Sequence, residues 1–156
     1  MPRQFFETYV RQSYEEWLGS PLNERRAHAA VAEANNMAAR VWRYWMERRD
    51  PFKVYDAENE GRYRDRLAAQ ECNDFALVRD VADGHKHVQL DRASRRVTRT
   101  DQVGSGKPQW NKAKWGEWAW GEQLVVTLDD GTQRPLAAIM RNVMKMWQGL
   151  LARWSL

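Results

Sequence analysis

The chain has 156 residues, of which 43% are hydrophobic and 29% charged, and its formal net charge is +4. This length fits one domain, and the hydrophobic content is sufficient for a buried core, so the composition excludes a globally disordered chain. No apolar run approaches the roughly 20 residues that a membrane-spanning helix needs, and the first residues lack the long apolar stretch of a signal peptide. We therefore expect a cytoplasmic protein with no membrane partner.

The cysteine and histidine content bears on metals and disulfides. The single cysteine, Cys72, cannot form an internal disulfide and is expected to pack as a small buried residue. Three histidines without a carboxylate at ligand spacing predict no metal site, and no other cofactor is expected. The positive net charge permits an anionic partner if the basic groups collect on one face.

Two helices are predicted in the first third of the chain. Apolar residues at three- and four-residue intervals predict a helix from about Gln4 to Leu18, which Gly19 ends. Ser20 is the predicted N-cap of a long second helix that starts at Pro21 and runs to about Arg48. The apolar seam of the second helix is predicted to be Ala27, Val31, Ala34, Ala38, Val41 and Trp45.

A charged third helix and a shorter fourth helix follow. The third helix is predicted from about Asp56 to Glu71, with Tyr63 and Leu67 as its apolar anchors. The fourth begins directly after it, and Gly84 is expected to end or kink it because glycine readily forms a helix cap. The residues of the fourth helix predicted to face the core are Phe75, Val78, Val81 and Ala82.

Residues 94–134 form a predicted insertion that is rich in tryptophan and in β-forming residues. Within it, residues 95–100 alternate like an exposed strand, and residues 104–108 predict a flexible turn. A further strand is predicted over 124–128. It is followed by Asp-Asp-Gly-Thr at 129–132, a tight-turn signal because Asp-Gly accepts a positive φ.

The last helix is predicted to start at about Pro135. Its apolar stripe is Leu136, Ile139, Met140, Val143, Trp147, Leu150 (or Leu151) and Trp154. Together the elements predict a mainly α protein, a single domain over residues 1–156. The expected architecture is an antiparallel four- to five-helix bundle with a small β-hairpin insertion before the C-terminal helix.

The segment from Arg79 to His87 concentrates the chemically active residues of the chain. An arginine can stabilise phosphate charge without losing its proton, and a histidine can exchange a proton near neutral pH. We therefore take Arg79, Asp80, His85 and His87 as candidate catalytic residues for metal-independent cleavage of a phosphodiester. The same residues equally fit a structural cluster of ion pairs and helix caps.

This motif resembles that of the HEPN superfamily, whose members are small helical bundles with a metal-independent RNase motif. The motif is an arginine, usually followed by a polar residue, and a histidine a few residues later. Five residues separate Arg79 from His85 and seven separate it from His87. The shorter spacing is the one typical of the motif, so the spacing favours His85. The order of the wider segment is also similar to that of a group of bacterial proteins in which a Leu-Asp-Asp-Gly hairpin, here 128–131, precedes the last helix. In that group the histidine follows a lysine, as His87 follows Lys86, so that similarity favours His87.

The resemblance implies RNA as the substrate and a homodimer whose two protomers pair their motifs in one composite site. The RNA 2′-hydroxyl would attack the phosphate, Arg79 would bind the phosphate, a histidine would transfer the proton, and Asp80 would orient one of them. A toxin or defence component, with a cognate antitoxin or another protein as partner, fits this activity. On an unbroken helix, Lys86 and His87 share the face of Arg79, whereas His85 does not, and both histidines remain candidates.

Four of the nine tryptophans lie between residues 110 and 120, interleaved with lysines. Cations for phosphates and aromatic rings for bases are the usual chemistry of single-stranded nucleic-acid binding. The candidate nucleic-acid-binding residues are Lys86, Lys107, Trp110, Lys112, Lys114 and Trp115. The tryptophans equally fit a surface that packs on the helices or a dimer interface.

Two other functions also fit the sequence. The chain could be a non-catalytic helical module that dimerises or binds a protein through its tryptophans, which predicts an exposed apolar patch around 110–120 and no RNA cleavage. A small-ligand or nucleotide-binding bundle ranks last because no phosphate loop is present. The RNase hypothesis instead predicts a dimer with Arg79 and a histidine exposed in an interfacial cleft.

Overall fold

A computed structural model of the protein describes residues 1–86, 96–108, 116–119 and 121–156. Within these ranges the protein is mainly helical, and a small antiparallel sheet precedes the C-terminal helix, which confirms the predicted mainly α class with a β insertion before the last helix. No helix of the described residues is both long enough and apolar enough to cross a membrane.

The N-terminal stretch is helical over the whole predicted range but contains a π-helical segment. The helix α1 (Pro2–Phe5), the π-helical segment (Phe6–Arg11) and the helix α2 (Gln12–Leu18) follow one another directly. A π-helix bonds each N–H to a carbonyl five residues back, and the three- and four-residue spacing of apolar residues does not distinguish this from an α-helix. The core residues of this stretch are Phe6, Val10 and Trp17.

The second long helix, α3 (Glu24–Glu47), begins later than predicted, and Ser20 is not its N-cap. The cap is Asn23, whose side chain accepts a hydrogen bond from the Arg26 N–H at 3.0 Å. The Ser20 hydroxyl instead accepts from the Arg26 guanidinium at 2.9 Å, because the chain from 20 to 23 forms a turn before the helix starts. The predicted seam is buried up to residue 41, and Trp45 is half-buried against the core.

A 3-10 turn (Pro51–Val54) leads to α4 (Glu60–Gln70) and α5 (Asp74–Lys86). The predicted anchors of α4, Tyr63 and Leu67, are fully buried, as are all four residues predicted to face inward from α5. Gly84 does not end α5, since the helical backbone continues to Lys86. A glycine inside a helix costs only about 1 kcal/mol, less than the packing of the apolar face of α5 provides.

In the described ranges, β1 (Val103–Gly106), β2 (Gln123–Thr127) and β3 (Gln133–Pro135) form an antiparallel sheet in the order β1-β2-β3. The predicted turn between β2 and β3 is confirmed. Gly131 has a φ of +80°, and the Leu128 N–H donates to the Thr132 carbonyl at 2.8 Å.

Two predictions before β2 are wrong. Residues 96–99 are not a strand, and residues 104–106 of the predicted turn at 104–108 belong to the strand β1. The N–H groups of Thr98 and Arg99 donate to the side chain of Gln102, at 2.8 and 2.7 Å, so they are not available to a neighbouring strand. Gly106 pairs with Gln123 because its missing side chain leaves room for Val125 of β2.

The close approach at Gly106 gives a matched prediction. A Cβ at Gly106 would lie 2.7 Å from Val125 Cγ2, whereas a Cβ at Gly104 would meet nothing within 4 Å. Gly106→Ala is therefore expected to lower the free energy of unfolding by about 1 to 2 kcal/mol, since overpacking forces a shift of the neighbouring strand. Gly104→Ala should leave it within about 0.5 kcal/mol of wild type in urea titrations. Equal effects of the two variants would contradict the close packing of β1 on β2.

The C-terminal helix α6 (Leu136–Arg153) starts directly after Pro135, as predicted. All of its predicted stripe is buried except Trp154, which is half-buried and packs against the core. The buried side chains of the N-terminal helices, of α3 to α6 and of the sheet form one connected cluster. The sheet therefore shares the core of the helices.

Candidate functional site

Arg79 lies in the middle of α5 and is anchored inside its own chain. Its guanidinium donates to the Asp65 carboxylate of α4 at 2.6 Å, and its side chain is 14% exposed. The side chain of Asp65 is 52% exposed. The ion pair thus lies at the protein surface, with the guanidinium beneath and the carboxylate towards solvent.

A second arginine, Arg64, precedes Asp65 on α4. Arg64 forms an ion pair with Glu60 one turn earlier in α4 and donates to the Asn35 carbonyl of α3 at 3.4 Å. Burial lowers the pKa of Arg64, and the positive charge of Arg79 lowers it further, against the opposite effect of Glu60. Each arginine therefore has its own carboxylate partner at the junction of the helices, Glu60 for Arg64 and Asp65 for Arg79.

Asp80, the neighbour of Arg79, points into the protein. It is 3% exposed, and its Oδ2 accepts a hydrogen bond from the Arg96 N–H at 3.1 Å. This contact ties α5 to the start of the described part of the insertion. Asp80 thus helps to position the backbone at Arg96. That Asp80 also orients a histidine stays a prediction.

The other predicted site residues are only partly described. His85 and Lys86 belong to the helical backbone of α5, and Lys107 is exposed directly after β1. Because α5 runs unbroken past Gly84, positions 79 and 86 lie on the same face of the helix. The residues that fall outside the described ranges are His87, Trp110, Lys112, Lys114 and Trp115.

The partners of Arg79 and Arg64 were not predicted from the sequence. The four-residue spacing of Glu60 and Arg64 on one helix is a recognisable signal for an ion pair. The pairing of Asp65 with Arg79 has no local signal, since it depends on how α4 packs against α5.

A larger network of charged groups links α5, β3 and α6. The Arg134 guanidinium contacts the Asp74 carboxylate and donates to Glu117 at 2.9 Å, and Asn142 donates to Asp74 at 2.7 Å. Burial lowers the pKa of Arg134, but hydrogen bonds to Asp74 and Glu117 outweigh burial and hold it above its usual value. These groups satisfy one another, so the network stabilises the fold and offers no free group for chemistry.

Metal ligation and thiol chemistry find little support in the described ranges. No group of three or more His, Cys, Asp or Glu side chains among the described residues is arranged to hold a metal ion. Cys72 is half-buried and not buried as expected, because it lies in the short connection between α4 and α5. Burial raises the pKa of the Cys72 thiol, which makes it a poor nucleophile at neutral pH.

The fold and the site define a mainly helical protein with a small antiparallel sheet and a paired-arginine cluster at the surface. Comparison of the chain with protein-family models, curated proteins and solved structures gives no match.

Proposed function

We propose that the protein binds RNA through the Arg79 face of α5 and cleaves it without a metal, as a HEPN-like endoribonuclease would. The observation that carries the proposal is the Arg79 guanidinium, which holds the half-exposed carboxylate of Asp65 at 2.6 Å near the protein surface. A guanidinium that binds a carboxylate can also bind the charged oxygens of a phosphate. The unbroken backbone of α5 adds Lys86 to the same face.

The proposed chemistry needs no group beyond RNA and side chains. The RNA 2′-hydroxyl attacks the adjacent phosphorus while a histidine at 85 or 87 takes its proton. The bond from phosphorus to the 5′-oxygen breaks, that oxygen accepts a proton and leaves as a 5′-hydroxyl, and the other product is a 2′,3′-cyclic phosphate. Arg79 stabilises the charge that develops on the phosphate oxygens. For this, the phosphate takes the place of the Asp65 carboxylate on Arg79.

The proposal includes a finer architecture and a set of partners. It places the chain among antiparallel helical bundles that form one domain, and it pairs two copies so that each contributes an arginine and a histidine to one site. A toxin or defence role would add an antitoxin or another protein that covers this face. Arg79 itself is only 14% exposed, which is less than the hypothesis expects, so a phosphate reaches it only by displacing the half-exposed carboxylate of Asp65.

Competition between Asp65 and phosphate gives a direct test. Asp65→Asn removes the negative charge from Arg79 and is expected to tighten the binding of a labelled structured RNA about threefold or more, whereas Arg79→Met should weaken it about tenfold. Fluorescence anisotropy measures both, with thermal unfolding as a check on folding. The matched control is Asp101→Asn, since Asp101 is 63% exposed and also paired with an arginine. Equal affinities of the two asparagine variants would contradict a phosphate site at Arg79.

A non-catalytic interaction module is the second candidate function. It is favoured by the burial of Asp80 and by the ion pair that holds Arg79 inside one chain, both of which are structural roles. On this alternative, Asp65→Asn weakens folding and leaves RNA binding unchanged. The same pair of variants therefore separates the two candidates.

A further inference from the structure

Two adjoining clefts run along the junction between the N-terminal helices and α3. Their volumes are about 550 and 440 Å³. Both clefts are lined by Phe5, Tyr9, Arg40 and Arg43, which therefore lie where the clefts adjoin, and the two clefts together are here called the N-terminal groove. Two aromatic rings and two guanidiniums occupy its centre.

The carboxylates of the groove lie towards its two ends. Glu33 lines only the first cleft and Glu47 only the second. Because α3 rises about 1.5 Å per residue, these two positions are roughly 21 Å apart along the helix. The centre of the groove is therefore suited to negative charge, and its length exceeds that of a single nucleotide.

Tyr9 provides the exposed aromatic ring of the groove, whereas Phe5 is half-buried and packs against the core. The rings of Phe5 and Tyr9 have centroids 5.1 Å apart with planes tilted by 35°, and Tyr9 is 53% exposed. The guanidinium of Arg40 lies 4.8 Å from the Phe5 ring centroid. Further along the groove, the guanidinium of Arg48 lies 3.5 Å from the ring centroid of Tyr44.

The backbone that presents Tyr9 is the π-helical segment. Within it, Phe6 and Val10 are buried in the core while Tyr9 faces solvent. A π-helix bonds less favourably than an α-helix, is rare, and is frequent at functional sites. The six-residue π-helical segment thus forms part of the wall of the groove and presents Tyr9 at its surface.

We propose that the N-terminal groove binds single-stranded RNA, with a base stacked on the exposed ring of Tyr9 and phosphates contacted by Arg40 and Arg43. A ligand that alternates flat rings with negative charges matches the alternation of rings and guanidiniums, as in single-strand binding in general. The inference rests on the proposed RNA function and adds a substrate class to it, an unpaired strand. No residue of the groove belongs to the Arg79 cluster, so the two sites are separable by mutation.

Binding of a 5′-labelled oligouridylate of about ten nucleotides, followed by fluorescence anisotropy, tests the groove. Tyr9→Leu and the double variant Arg40→Gln/Arg43→Gln are each expected to raise the Kd about tenfold, whereas Tyr9→Phe keeps the ring and should bind like wild type. The control for the ring is Phe52→Ala, since Phe52 is 75% exposed and does not line the groove. The control for charge is Arg25→Gln/Lys145→Gln, which removes two exposed cations elsewhere.

The outcomes distinguish the groove from the Arg79 site. Loss of binding in the groove variants but not in Arg79→Met supports the groove and contradicts a phosphate site at Arg79. Loss in Arg79→Met alone overturns the groove and leaves the proposed function in place. Absence of oligouridylate binding by the wild type overturns the groove, and RNA cleavage then decides the proposed function. A 4-thiouridine crosslink to the peptide that contains Tyr9 is the expected direct signature, and crosslinks confined to other peptides contradict the groove.

Discussion

Trp147→Ala is expected to lower the free energy of unfolding by about 4 kcal/mol. Trp147 is completely buried in α6, and its ring meets the ring of Phe75 edge-on at a centroid distance of 5.7 Å. Its indole N–H also donates to the Ala34 carbonyl at 3.0 Å, which joins α6 to α3. Alanine leaves a cavity at the point where three helices meet, and the surrounding helices cannot close it without losing their other contacts.

Two further variants isolate the origin of this effect. Trp147→Phe keeps most of the buried area but removes the donor to Ala34, and it should cost about 1 to 2 kcal/mol. Phe52→Ala, at an exposed aromatic residue, should cost no more than about 0.5 kcal/mol. Urea titration measures all three. If Trp147→Ala destabilised the protein no more than Phe52→Ala, the described packing of α3, α5 and α6 would be wrong.

The second large effect is expected at Arg134. Arg134→Met removes the cation between Asp74 and Glu117, whose side chains are only 11% and 25% exposed. Removing one partner of a mostly buried ion pair leaves the other charge uncompensated, so we expect a loss of about 3 kcal/mol. Adding Asp74→Asn to the Arg134→Met variant should recover part of that loss, because it removes the uncompensated negative charge of Asp74.

A matched surface pair provides the control for Arg134. Arg99 also forms an ion pair with an aspartate, Asp101, but both side chains are more than 60% exposed. Exposed pairs contribute little to stability, so Arg99→Met should unfold at the same denaturant concentration as wild type. Equal destabilisation by the two methionine variants, measured by denaturant titration at one pH, would contradict the structural role of the Arg134 network.

The helices were predictable because each has a strong apolar period. The stripe of α6 and the anchors of α4 lie in the core as predicted. The local sequence defines the apolar face of each helix, and that face is the one that packs inward. The helix starts were less predictable. Asn23 and Ser20 are both good caps, and the choice between them depends on the turn that precedes α3.

The sites were less predictable because they depend on contacts between distant residues. Arg79 was recognised from its neighbours in sequence, but its partner Asp65 lies on another helix. The N-terminal groove has no motif, since Phe5 and Tyr9 come from one helical stretch and Arg40 and Arg43 from another. The strand β1 is also hard to predict. Its glycines locally favour a turn, whereas the contact of Gly106 with Val125 of β2 places them in the sheet.

Incubation of the protein with end-labelled structured RNA in EDTA tests whether the Arg79 face carries metal-independent RNase chemistry. We expect cleavage by the wild type with 2′,3′-cyclic phosphate ends, and at least a hundredfold slower cleavage by Arg79→Lys and by His85→Asn/His87→Asn purified in the same way. Cleavage at the wild-type rate by Arg79→Lys, or no cleavage by the wild type of an RNA that it binds, would contradict the claim.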